Sequence, residues 1–379
     1  MRIAYVYDAI ARIGGVERIL VDKMNYLAEV YGYEVHLITA AQGKHPFSFP
    51  LSAKVKHRDI DARFHVQYQY GYPKRLWMKW KLDRRFRRNL AKAVAEIDPD
   101  IVIGTTYYKA DVICRLRCRA RKVIESHCAK SYTGQNDGVR RNGVVQWFYN
   151  RQLSKYNRTI KRRSDAIVAL TRGDAAEWNK KENVFVIPNM IKEMPERKSF
   201  CEARRVVSAG RLIYQKGYDL LIEAWSRVYK KHPDWRLDIF GEGEEKPRLF
   251  ASIKQLGLEG SITIHPFTQD IFYEYINSSI YALPSNYEGF GLVIIEAMAC
   301  GIPCVAFDCP YGPSEIVADK VNGLLVENNN IEQLAASLNF LIENPKLRVE
   351  YGKKGRESAH RYLINNVMSM WNHLFLQMK

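Results

Sequence analysis

Apolar positions along the chain gather into short, nearly unbroken runs separated by stretches of helical period. In the first half, "RIAYVY" (2–7), "EVHLIT" (34–39), "DIVIGT" (100–105), "KVIES" (122–126) and "DAIVAL" (165–170) predict buried strands, with a helix opening near Gly15. Runs without strict polar alternation suit a parallel sheet covered on both faces. The segment 183–205, "NVFVIPNMIKEMPERKSFCEARR", finishes a strand, holds two prolines and turns strongly polar, which predicts a domain linker. Beyond it the pattern repeats in "RVVSAG" (205–210), "WRLDIFG" (235–241), "SITIHPF" (261–267), "IYALPS" (280–285) and "IPCVAFD" (302–308), with helical segments such as 217–233 between them. The expected fold is α/β, with two doubly wound Rossmann-like domains, 1–190 and 200–360, facing across a cleft. An apolar-periodic helix within 361–379 is expected to return to the first domain. Ligands in such sheets bind beyond the carboxyl ends of the strands.

Composition adds two constraints. The 379 residues are 47% apolar, yet no run of eighteen apolar residues occurs, so no spanning helix is expected. The start, "MRIAYVYDAIARIGG", reads as a first strand and not as a signal peptide. Seven cysteines without a disulfide rhythm fit a reducing compartment. Cys114-x3-Cys118 and Cys300-x3-Cys304 lack the His partners of a zinc site, so no metal site is expected. The net charge of +17 is the second constraint, because it is lopsided. Residues 1–190 hold 36 Lys and Arg against 18 Asp and Glu, while the remainder holds 22 against 23. The first half is therefore expected to face an anionic partner.

Two segments of the second half carry candidate chemistry. In "SAGRLIYQKGYDLLIEAW" (208–225) a strand ends at Gly210, a loop carries Arg211 and Lys216, and a helix opens at Gly217. Free amides and the positive dipole end of a helix, beside two cations, suit a diphosphate. Taken alone, Arg211 and Lys216 read more readily as two solvated loop charges. In "NYEGFGLVIIEAMACG" (286–301) Glu288 lies on a loop and Glu296 inside the following helix, with Gly289 and Gly291 between strand and helix. Carboxylates accept from sugar and ribose hydroxyls, and amides between them can meet phosphate oxygens. The ordinary alternative is a capping glutamate plus a surface glutamate.

Together the two segments resemble the family 4 glycosyltransferases, retaining enzymes of the GT-B fold. The match lies in the "GRL…QKG" loop, the E-x7-E of "EGFGLVIIE", the following "AMACGIPCVAFD", and the downstream "GPSEIV" (312–317) and "NGLLV" (322–326). Over the first half it thins to "GGVER" (14–18) and His127 after a strand. The resemblance implies that Arg211 and Lys216 hold the donor diphosphate and neutralise the leaving nucleotide. It implies that Glu288 contacts the transferred sugar, Glu296 the ribose, and backbone amides at Phe290, Gly291 and Leu292 phosphate or sugar. Gly14 and Gly15 would approach the phosphate or acceptor side, and His127 would orient the transferred sugar, unless it is an ordinary loop histidine. The donor would be a UDP-, GDP- or ADP-sugar, with no separate cofactor. No Asp-x-Asp occupies a plausible ligand loop, so fixed cations and helix dipoles would stand in for a bound metal.

Two basic segments suggest what the first half touches. "KRLWMKWKLDRRFRRNLAK" (74–92) has nine cations and one acid, interleaved with Leu76, Trp77, Trp80, Phe86 and Leu90, and 140–163 has eight cations and no acid. Cationic, Trp-bearing amphipathic helices suit an anionic membrane surface. A single-stranded nucleic acid is the competing polyanion, but no recognised module accompanies the segments. A solvated basic face with its Trp residues in the core is the third reading. The expectation is thus a cytoplasmic glycosyltransferase, peripheral to the inner face of the cell membrane, acting on a lipid-linked saccharide or surface polysaccharide. Rival functions are a GT-B-fold sugar-nucleotide epimerase or phosphorylase, and a nucleic-acid-binding protein with a degenerate nucleotide site.

Overall fold

The computed structural model of the protein describes residues 1–128, 130–132, 143–178 and 183–379. Its first sheet holds β1 (Arg2–Tyr7), β2 (Glu34–Thr39), β3 (Lys56–Asp59), β4 (Ile101–Thr105), β5 (Arg121–Ser126), β6 (Ala166–Ala169) and β7 (Val184–Val186), in the order β3-β2-β1-β4-β5-β6-β7. The second holds β8 (Arg205–Ala209), β9 (Arg236–Phe240), β10 (Ile262–His265), β11 (Ile280–Leu283), β12 (Cys304–Phe307) and β13 (Gly323–Val326), in the order β10-β9-β8-β11-β12-β13. The ladders are parallel. In both sheets the strand order reverses beside the first strand, between β1 and β4 and between β8 and β11. A crevice opens at each reversal, where the loops on either side diverge.

Central strands are buried on both faces, which explains their unbroken apolar runs: Ile3, Ala4, Tyr5 and Val6 are buried together, as are Ile280 to Leu283. β3, "KHRD", is an edge strand with three exposed residues, so it lacks the apolar signal that marks the others. The helix Gly15–Glu29 turns Ile19, Leu20, Met24 and Leu27 onto the first sheet at spacings of a helical stripe.

The chain crosses between the sheets twice. After β7 it runs through 187–204 to the second sheet, and near residue 363 it returns alongside, with Ile191 bridged to Leu363. Backbone amides of Ile191 and Ile364 donate across this pair at 2.9 Å each. The closing helix Ile364–Gln377 then buries Val367, Met368, Trp371, Leu374 and Phe375 in the core of the first sheet. Burial of such side chains is worth about 1.5–3 kcal/mol each, so the return is firmly held. Among the described residues, no helix is long and apolar enough to cross a membrane.

Candidate functional site

The residues singled out in the second half come together at its crevice. Arg211 and Lys216 follow β8, and Glu288 follows β11, the two strands flanking the reversal. Gly217 opens the helix Tyr218–Lys231 with φ +62°, and a Cβ there would lie 2.1 Å from the Pro284 carbonyl oxygen. Only glycine lets the two loops approach this closely. Lys216 Nζ donates to Glu288 Oε1 at 2.5 Å, and Ser285 Oγ donates to the same oxygen at 2.7 Å. Glu288 is buried, whereas Arg211 is exposed on the loop. Gly291, at φ +96°, then starts the helix Leu292–Ala299, which carries Glu296 in its second turn. The first amides of that helix have no partner within it. The Phe290 side chain is not presented to a ligand: it is buried edge-on against Tyr362, leaving its backbone as the usable part.

The first half supplies the opposite wall. Gly14 precedes the helix Gly15–Glu29, and a Cβ on Gly15 would sit 3.6 Å from Leu292 Cδ2, so two helix N-termini meet across the crevice. His127 follows β5, and its carbonyl oxygen packs against Gly289. Arg18, one turn into the first helix, donates to Glu296 Oε1 from across the crevice. Burial disfavours the Arg18 charge, but Glu296 outweighs it and holds the guanidinium above its ordinary value. Further along, Gly173 N donates to Glu315 Oε1 at 3.0 Å, and Tyr311 donates its hydroxyl to Glu177.

Several of these partners carried no motif. Arg18 lay inside "GGVER" with no role given to it. Ser285 stood three residues before Glu288 without a reason to reach it. Lys23 was legible in principle, because it falls on the apolar stripe of Leu20, Met24 and Leu27. Glu125 was an acid inside an apolar strand. Lys23 Nζ and Glu125 Oε1 are 2.6 Å apart, and Glu125 Oε2 lies 2.9 Å from His127 Nε2. Burial lowers the Lys23 pKa to about 8 despite Glu125. Burial alone would raise the Glu125 carboxyl, yet Lys23 and His127 hold it down to about 2.

Among the described residues no disulfide joins the cysteines, and no cluster of His, Cys, Asp and Glu could hold a metal ion. Burial pushes the Cys201 thiol up to about 11 and the Cys114 thiol up to about 12.

The basic segments divide differently from their sequence pattern. Lys74–Ile97 is one helix, and Phe86 and Leu90 belong to its buried side, so they are core residues and not part of an interaction face. Leu76, Trp77 and Trp80 are about half exposed, with Lys81 and Arg84 over the two indoles at 5.2 and 4.7 Å. The third reading, in which the Trp residues fill the core, therefore fails for this helix. In Gly143–Arg163, Trp147 and Phe148 are likewise exposed; Arg140 to Asn142 lie outside the described residues. Lys109 donates to Asp83 at 2.6 Å, and the Tyr156 hydroxyl donates to the Thr106 carbonyl at 2.8 Å. Both helices are thus pinned beside the carboxyl end of β4. Residues before Asp83 extend about 13 Å further, at 1.5 Å per residue, beyond that edge of the sheet.

Two facing Rossmann-like domains with a cationic loop, a pair of carboxylates and opposed helix N-termini at the crevice define a GT-B glycosyltransferase. Comparison with known proteins agrees. Residues 13–193 match the model of "Glycosyltransferase Family 4" and residues 190–358 that of "Glycosyl transferases group 1". An "Uncharacterized glycosyltransferase" of Haemophilus influenzae is 32% identical over 98% of both chains. The chain belongs to the family 4 glycosyltransferases. A Campylobacter jejuni relative, "N-acetylgalactosamine-N,N'-diacetylbacillosaminyl-diphospho-undecaprenol 4-alpha-N-acetylgalactosaminyltransferase", is 34% identical over 41% of this chain and 42% of its own. Among solved structures, Anabaena HepE in complex with UDP-glucose superimposes with a TM-score of 0.75 over the full length of both chains, at 19% identity.

Proposed function

We propose that the protein transfers a sugar from a UDP-, GDP- or ADP-sugar, with retention of configuration, to a glycolipid or surface-polysaccharide acceptor at the cytoplasmic face of a membrane. One observation carries the donor reading. Lys216 and Glu288 are paired at the mouth of the helix bearing Glu296, opposite the N-terminus of the first helix. The leaving group of such a reaction is a nucleoside diphosphate, whose charge must be met as the glycosidic bond breaks. Lys216, Arg211 and the two helix N-termini supply fixed positive potential around that position, without reorganisation during the step. Glu288 accepts from the hydroxyls of the transferred sugar, Glu296 from those of the ribose, and amides of Phe290, Gly291 and Leu292 meet phosphate or sugar oxygens. Gly14 and Gly15 approach the phosphate or acceptor side, and His127 orients the sugar.

The acceptor reading rests on the basic helices. Their exposed indoles and cations stand at the crevice end of the first domain, where a membrane-held acceptor would have to arrive. A relative whose name includes a diphospho-undecaprenol substrate is consistent with a lipid-linked acceptor. The decisive measurement is thermal stabilisation by UDP, GDP, ADP and CMP without added metal, on the wild type and Glu296→Ala. A selective rise that the variant loses supports the ribose clamp and names the donor class. No rise with any nucleotide refutes the donor reading.

A further inference from the structure

Lys23, Glu125 and His127 form a buried chain, of which the reaction as proposed uses only His127. Their side chains are 2%, 2% and 1% exposed. Glu125, ionised, only accepts hydrogen bonds, so His127 must present Nε2–H to it. The opposite ring nitrogen, Nδ1, is buried and has no hydrogen-bond partner among the described residues. It belongs to a residue whose own carbonyl touches Gly289, next to Glu288 on the donor loop. A buried polar atom without a partner is costly unless something arrives to meet it.

Charge balance decides what Nδ1 offers. A lone carboxylate beside an imidazole draws a second proton onto the ring. Here Lys23 already neutralises the carboxylate, and a further proton would leave a net positive charge buried among apolar side chains. The groups facing the carboxylate are Lys23 from the first helix, Tyr5 from β1 and His127 from its own strand. Behind Lys23 stands the Trp371 ring of the closing helix, 3.4 Å from the ammonium, which favours the lysine's charged form.

We propose that Lys23 and Glu125 are positioning residues that lock His127 as the neutral, Nε2-protonated tautomer, so that Nδ1 accepts a hydrogen bond from a hydroxyl of the transferred sugar. The sugar contact rests on the donor reading above; the tautomer does not. An imidazolium in the same place would donate instead, and the hydroxyl would lose its acceptor. The closing helix thereby gains a part in the active site, because it holds the lysine that sets the ring's protonation.

The test is 15N NMR of the full-length protein with labelled histidine rings, His127 being assigned by its loss in His127→Gln. The wild-type ring is expected to carry its proton on Nε2 and leave Nδ1 bare. In Lys23→Met, with the carboxylate left without its cation, a second proton is expected on Nδ1. Hydrolysis of UDP-glucose by that variant then falls on acidification relative to the wild type. A wild-type ring protonated on Nδ1, or on both nitrogens at neutral pH, overturns the proposal even if Lys23→Met does not fold. So does a folded Lys23→Met with an unchanged tautomer and pH profile. Failure of the nucleotide screen bears on the donor reading alone, since the tautomer is read without donor.

Discussion

Gly289→Ala separates closure of the crevice from stability of the domains. A Cβ on Gly289 would stand 2.3 Å from the His127 carbonyl oxygen and 3.3 Å from Cys128 Cα. The obstacle is backbone, so no rotamer change relieves it. Ordinary contact needs about 1 Å more, and the cheapest response is for the donor loop and the first domain to part by that amount. A misplacement of about 1 Å costs on the order of 10²-fold in rate, or about 2.7 kcal/mol of barrier. Gly289 lies outside the left-handed region, so the second domain should fold nearly as before. Initial rates of transfer from the donor chosen by the nucleotide screen, with nucleotide affinity and melting temperature alongside, check this. Gly289→Ala turning over within threefold of the wild type would refute the reasoning, as would a loss of melting temperature large enough to explain the rate.

Lys216→Ala should lower kcat by about 10²–10³, the usual effect of removing one fixed positive group from a developing charge, with nucleotide affinity measured in parallel. An unchanged kcat would reject its place at the diphosphate. Exchanging Lys74, Arg75, Lys79 and Lys81 for Glu, with Trp77 and Trp80 changed to Ala, should release the protein from anionic vesicles while sparing donor hydrolysis in solution. At about 1 kcal/mol per near-surface cation the loss is large, and unchanged vesicle binding would reject this helix as the contact. Acid should also destabilise the first domain through Glu125. Its folded pKa is about 2, below the ordinary 4.5, so its contribution is fully present above pH 4.5 and lost as pH falls toward about 2. Glu125→Gln should flatten that part of the stability-against-pH curve, measured by urea unfolding.

Much of the fold was legible because parallel strands buried on both faces write themselves as apolar runs. β1 and β2 match their predicted limits, and β8 to β12 differ from theirs by a few residues at the ends. β3 was illegible for the same physical reason: an edge strand of "KHRD" has no apolar face to show. The two crevice loops that bring Lys216 to Glu288 could be picked out from glycine, cation and carboxylate spacing within single segments. Arg18 with Glu296 and Lys23 with Glu125 join residues 278 and 102 positions apart, and no local pattern marks such pairs. The aromatic content of 74–92 misled in part. A helix that packs along half its length uses Phe86 and Leu90 for the core and Trp77 and Trp80 for the surface, and composition does not say where the division falls.

The two carboxylates of the E-x7-E segment share one arrangement, which bears on how a donor enters. Glu288 spends Oε1 on Lys216 and Ser285, and Glu296 spends Oε1 on Arg18. Among the described residues neither Oε2 has a hydrogen-bond partner, so each carboxylate is neutralised yet keeps one oxygen for a hydroxyl. Neutralisation in advance lowers the cost of holding two buried acids beside an anionic diphosphate. It also ties the clamps to different bodies. Lys216 belongs to the same domain as Glu288, but Arg18 comes from the other side of the crevice. Opening the crevice would strip Glu296 of its cation while leaving Glu288 paired. On the proposed donor reading the ribose end would be the end that senses closure, and Arg18→Met should weaken nucleotide binding through Glu296 without disturbing the Lys216–Glu288 pair. Tighter nucleotide affinity in that variant would show instead that Arg18 competes with the ribose for the same carboxylate, and unchanged affinity would reject the coupling.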